Sequence, residues 1–167
     1  MNAVQVHLML NHVPVLAPVL AAAFVVIGRI FRSQPVLRVA LALLPLAALL
    51  AIPLYLTGEP AEEMVEHYPG VAEQETDRHE SAALVSLVLL VALGVVAATA
   101  LWIFRRRPVP GGWSATVLIA CLAVGAQVAW TAHLGGLIRH PELQGAPAAR
   151  TNPQSETQGG GEKDDDD

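Results

Sequence analysis

Six histidines carry what chemistry this chain can offer: His7, His12, His67, His79, His133 and His140. Imidazole binds metal through either ring nitrogen. Inside an apolar, membrane-length segment it is costly unless it faces the protein interior or a site. Spacing narrows the groupings. His133 and His140 are seven residues apart, so on one helix they share a face but stand about 10 Å apart along the axis. That is too far for one ion and suits two sites at different depths. His7 and His12 differ by about 7.5 Å in depth and by about 140° around a helix, so they are not two halves of one site. An imidazole pair drawn from two helices suits low-spin haem iron, whose usual task is electron transfer. Zinc prefers four protein ligands, or three and a water, often with thiolate or carboxylate among them. The apolar spans offer no acid and one thiol, Cys121. A soft His and Met path through Met9 and Met64 would suit copper or iron in transit. The plainest alternative is that the histidines hydrogen-bond between helices.

The elements that would position them are four apolar runs. They predict helices over about residues 3–31, 36–57, 80–104 and 113–139, each long enough for the roughly 20 residues that cross a hydrocarbon core. Pro14 and Pro18 fall inside the first and are expected to bend it beside His12. All 15 acids lie between Glu59 and Glu80 or from Glu142 onward. The connections after the first and third runs carry only bases: Arg29, Arg32 and Arg38, then Arg105, Arg106 and Arg107. The positive-inside rule puts these two connections in the cytoplasm and both termini outside. Every histidine then falls in the outer half or the outer loop. His12 and His133 form a deep level; His140, with His79 or His7, forms a shallow one. On the last helix Gly125, Ala129, His133, Gly136 and His140 make a small-residue face, widened by Gly135. It suits close helix packing or a flat macrocycle beside its ligand. The expected fold is all-α: a four-helix transmembrane bundle with a short amphipathic helix in the outer loop, whose site is built between helices.

Composition sets the exclusions. The chain of 167 residues is 53% hydrophobic and 15% charged, which points to membrane spans and one domain. A net charge of −5 argues against nucleic acid, whose phosphates need a basic face. The lone Cys121 can form no internal disulfide and reads as a small apolar residue. No basic region precedes Arg29, so the first apolar run reads as a retained helix. Glu62, Glu63, Glu66 and His67 could suggest a metal, but acids at a helix start need none. Residues 1–140 form the membrane domain; 141–167 read as a disordered acidic tail. No nucleophile–base pair or phosphate loop stands out, so an independent enzyme is not expected.

Asn11-His12-Val13-Pro14, Thr57-Gly58-Glu59-Pro60-Ala61, His79-Glu80 and His133-Leu134-Gly135-Gly136 with His140 occur in that order. Over roughly residues 5–141 the chain resembles a family of small bacterial four-helix membrane proteins described as haem-containing and b-type cytochrome-like. The resemblance implies one or two haem b groups near the outer leaflet of the bacterial inner membrane. By motif position it implies His12, His79, His133 and His140 as iron ligands, with His7 a further cofactor contact. The expected pairs are His12 with His133, and His140 with His79 or His7. The expected partners are membrane lipid and a redox complex subunit, a periplasmic electron carrier or quinol. A metal or haem transit protein and a structural or assembly subunit are the competing expectations.

Overall fold

A computed structural model describes residues 3–65 and 73–139. His67, His140 and the acidic tail lie outside the described residues. Six helices follow in order: α1 (Ala3–Leu10), α2 (His12–Ile30), α3 (Gln34–Leu56), α4 (Gly58–Val65), α5 (Glu73–Ile103) and α6 (Gly111–Arg139). Four helical stretches are long and apolar enough to cross a membrane: Gln5–Ile30, Gln34–Leu56, Gln74–Ile103 and Gly111–Ile138. The all-α four-helix bundle expected from the sequence is the fold. By length and composition this is a multi-pass membrane protein. Large apolar side chains on the outside, such as Leu16, Val19, Leu49, Val88, Val95 and Ile119, are what a lipid-facing surface requires.

The long helices close into a ring. α3 packs against α2 and α5, and α6 packs against α2 and α5. Each contributes a seam at 3–4 spacing, the pattern of near-parallel helix packing. On α5 the buried seam is Ser86, Leu90, Leu93, Ala97 and Ala100; on α6 it is Ser114, Val117, Cys121, Val124, Val128 and Thr131. Between helices in lipid there is little hydrophobic drive, so close contact must hold them. Small residues supply it. Ala21, Ala40, Ala97 and Ala100 are fully buried. A Cβ on Gly94 would fall 2.7 Å from the Cβ of Ala48 and 3.2 Å from the Leu44 carbonyl, so α3 and α5 meet almost backbone to backbone there.

Two boundaries differ from the expected ones. The first run is broken in two at Asn11. Pro14 has no N–H for the Leu10 carbonyl, and its ring crowds that group, so the ladder is interrupted one turn before it. Pro18 is accommodated within α2. α5 begins at Glu73, about two turns before the apolar run. Hydropathy marks where lipid begins, not where a helix does; Arg78 and Glu75, 3.3 Å apart, add a weak i,i+3 pair to this polar extension. The short loop helix α4 begins at Gly58, immediately after α3, and packs on α1.

Polar bonds pin the arginine end. Arg29 Nη1 donates to the Gly111 carbonyl (2.6 Å) and to Ser114 Oγ (2.7 Å), which joins the end of α2 to the start of α6. The Val109 N–H donates to Gln34 Oε1 at 2.8 Å, and Phe104 meets Trp113 edge to face.

Candidate functional site

At the acidic end two histidines, His7 and His79, are each tethered to the backbone of another helix. His79 sits near the start of α5, half-buried, with Nδ1 3.0 Å from the Thr131 carbonyl of α6. A carbonyl only accepts, so Nδ1 carries the proton and Nε2 of the neutral ring is left with its lone pair. The ring lies flat against Gly135: a Cβ there would stand 2.9 Å from His79 Cε1 and 3.2 Å from Nδ1. Only glycine leaves that space.

Thr131 is fixed in turn. Its hydroxyl lies 2.8 Å from Ser86 Oγ, 3.0 Å from the Ala82 carbonyl and 3.2 Å from the Gln127 carbonyl. One hydroxyl proton cannot serve every partner. Thr131 Oγ1 therefore accepts from Ser86 and donates to the carbonyls of Ala82 and Gln127, either singly or shared. Both hydroxyls are buried, so the pair locks the register of α5 against α6 and with it the reach of His79.

His7 is built by the same logic from another helix end. Its Nδ1 lies 3.2 Å from the Leu54 carbonyl in the last turn of α3, and that carbonyl also accepts from Thr57 Oγ1 at 2.9 Å. Its ring stands beside Gly58, where a Cβ would be 3.8 Å from His7 Cε1. Donation through Nδ1 again leaves Nε2 unprotonated. His7 and His79 are thus held by the same kind of bond, on different helices. One turn after His7 is Asn11, whose Oδ1 is buried with no hydrogen-bond partner.

The deep pair is placed differently from expectation. His12 and His133 are both exposed, on the outside of the bundle and not between its four helices. Their relation follows from helix geometry. Pro18 of α2 meets α6 at Gly125. From that level His12 is about 9 Å and His133 about 12 Å toward the acidic end, so their depths agree within about 3 Å. At 100° per residue on antiparallel helices, both turn to the same side of the α2–α6 contact. Buried Ala17, Ala21 and Thr131 turn to the other. His12 and His133 thus lie on the same outer side of the α2–α6 contact. Trp130 lies beside the His133 ring, with centroids 5.6 Å apart.

The small-residue face expected around His133 is likewise outward. Ala129 and Gly136 are exposed, and a Cβ on Gly136 would meet nothing within 4 Å. Gly135 is the glycine that is packed. Thr131 and Ser86 were missed as site residues. Their signal is the 3–4 seam itself: His79 is one heptad before Ser86, and Gly135 follows Thr131 by four.

Among the described residues, no group of three or more His, Cys, Asp or Glu side chains converges on one point. No protein family, curated protein or solved structure matches the chain.

Proposed function

We propose that this protein is a membrane-embedded b-type cytochrome-like electron-transfer protein holding one or two haem b groups near the end of the bundle that carries the acidic loop. One observation carries the reading. His7 and His79 come from different helices, each tethers Nδ1 to a backbone carbonyl, and each leaves Nε2 free. Metal-ligating histidines are oriented in this way, because the second nitrogen's bond fixes tautomer and ring direction. The fit is supported by Gly58 and Gly135, which admit the two rings against the neighbouring helices, and by the unpartnered Asn11 Oδ1. His12 and His133 would serve a second group from the outer side of the α2–α6 contact.

When bound, haem supplies a one-electron couple set by its axial ligands and surroundings. The chain's own contribution is to hold two neutral imidazoles in place through Leu54, Thr131 and Ser86. The arginine end has no histidine, so this chain alone does not carry electrons across the whole bilayer. A redox-complex subunit, a periplasmic carrier or quinol would meet it at the acidic end. The positive-inside rule supports an inner-membrane protein with that end in the periplasm.

The same two bonds favour a second reading, as a structural or assembly subunit whose histidines join helices. Spectra separate the two. The full chain, expressed with ample haem and purified in detergent, is expected to show Soret and α bands that sharpen on reduction. His79→Ala and His7→Ala should each alter ligation. A colourless protein, or spectra unchanged in all of the His7, His12, His79 and His133 alanine variants, refutes the cytochrome reading.

A further inference from the structure

The arginine end has a charge problem that the chain does not solve. No carboxylate occurs in residues 1–58 or 81–141, whereas Arg29, Arg32, Arg38, Arg105, Arg106 and Arg107 all lie at that end. The nearest acids in sequence are at the far ends of α3 and α5, about 30 Å away along the helix axes. Salt bridges within those segments are therefore excluded.

A cleft of about 460 Å³ lies at this end, lined by Gly28, Arg29, Arg32, Gln34, Gly111 and Ser114 among others. Its cations are placed against local preference. Arg29 is held over the first turn of α6, the positive end of a helix dipole, where a cation is disfavoured. Both its bonds run through Nη1, to Gly111 O and to buried Ser114 Oγ, so the rest of the guanidinium fork remains to face a ligand. Arg32 has φ 50°, a left-handed conformation that glycine takes without strain. The Ser33 N–H bonds the Gly28 carbonyl at 2.8 Å and closes that turn, so Arg32 stays at the cleft. The first amides of α6 have no helical acceptor, and that of Gly111 belongs to a residue lining the cleft. A Cβ on Gly111 would meet only Arg29 Nη1, at 3.8 Å, so the space beside that cation is open.

We infer that this cleft is a binding site for a phosphate group, presented by an anionic phospholipid headgroup or as free phosphate. A phosphate offers several acceptor oxygens to two guanidinium forks and the Gly111 amide, which is the match arginine makes best. Its charge would offset the misplaced cation over α6 and the like charges of Arg29 and Arg32 at one cleft. The inference does not depend on the haem reading and concerns the opposite end of the molecule.

The test uses the purified, delipidated full chain in detergent at 0.5 M salt as a rough choice, where surface attraction is screened within a few ångströms. Short-chain phosphatidylglycerol, phosphatidylcholine of the same chains, and inorganic phosphate are titrated separately, with binding read by thermal shift and phosphorus NMR. Saturable binding of phosphatidylglycerol well above the other two assigns a lipid headgroup; comparable binding of inorganic phosphate assigns a soluble anion. Arg29→Gln with Arg32→Gln should weaken the bound species about 100-fold, as two charged hydrogen-bonding groups are lost. Arg105→Gln with Arg106→Gln, outside the cleft, should change it less than about threefold under screening. Gly111→Asp guards against misfolding in the arginine variants. It puts an acid beside Arg29 in the cleft, at the start of α6, so it should hold or raise stability while abolishing binding. Absence of saturable binding overturns the inference. So do equal losses in the two arginine pairs, or unchanged binding in a folded Gly111→Asp protein.

Discussion

Gly135 and Gly136 are neighbours in one helix, yet replacing each with alanine should move stability in opposite directions. At Gly135 the new Cβ would sit 2.9 Å from His79 Cε1 and 3.2 Å from Nδ1. Ordinary carbon contacts lie at about 3.5–4.0 Å, so the ring must retreat by roughly half to one ångström. The His79–Thr131 bond, 3.0 Å now, would then stretch past hydrogen-bonding range. Losing it costs about 1 kcal/mol, and overpacking adds about 1–3 kcal/mol. Alanine returns about 1 kcal/mol in helix propensity. The net effect is a loss of about 1–3 kcal/mol. At Gly136 the Cβ meets nothing, and only the propensity gain of about 1 kcal/mol remains. Reversible unfolding of the detergent-solubilised protein, titrated with a denaturing detergent and read by helical circular dichroism, measures both. A third variant isolates the cause: in a His79→Ala background, Gly135→Ala should lose its cost and become stabilising. Equal effects at the two glycines, or a cost at Gly135 that persists without His79, would refute the geometry drawn here for the site.

Two further outcomes follow from the same packing. Thr131→Val keeps the shape but removes the oxygen that Ser86 bonds at 2.8 Å; leaving that buried hydroxyl unsatisfied should cost about 1–2 kcal/mol in the same unfolding assay, and Thr131→Ser should recover most of it. Gly94→Ala pushes a Cβ against Ala48 and the backbone of Leu44, neither of which can swing away, so it should destabilise by about 2 kcal/mol or more despite alanine's better helix propensity.

The number of spans, their lengths and the segregation of charge were legible because each depends on composition over many residues. The break at Asn11 was foreshadowed by Pro14, although the sequence pattern alone suggested a bend and not two helices. The polar start of α5 was hidden because a helix leaving lipid keeps its backbone pattern while its hydropathy collapses. The placement of His12 and His133 turned on a subtler matter. α6 carries two stripes at nearly the same spacing, one through Ser114, Cys121 and Thr131, the other through Gly125, Ala129 and His133. In water, polarity would tell the buried stripe from the exposed one. In lipid both faces are apolar or small, so the choice rests on what the neighbouring helices offer. The polar members of the buried stripe, Ser114 and Thr131, were the available clue, since a hydroxyl in a membrane helix tends to find a partner on another helix.

The alanine seam also bears on permeation. Ala21, Ala40, Leu44, Ala97 and Ala100 are fully sealed, and they come from three of the four long helices, with Val117 and Cys121 closing the side of the fourth. A hydrated ion has no lumen to enter along this axis and no polar lining to replace its water shell, a replacement that conduction through a pore requires. Cargo moving from one end of the molecule to the other would have to part helices that touch almost backbone to backbone. Chemistry at the two ends of this bundle is therefore insulated, end from end, by the same small residues that hold it together.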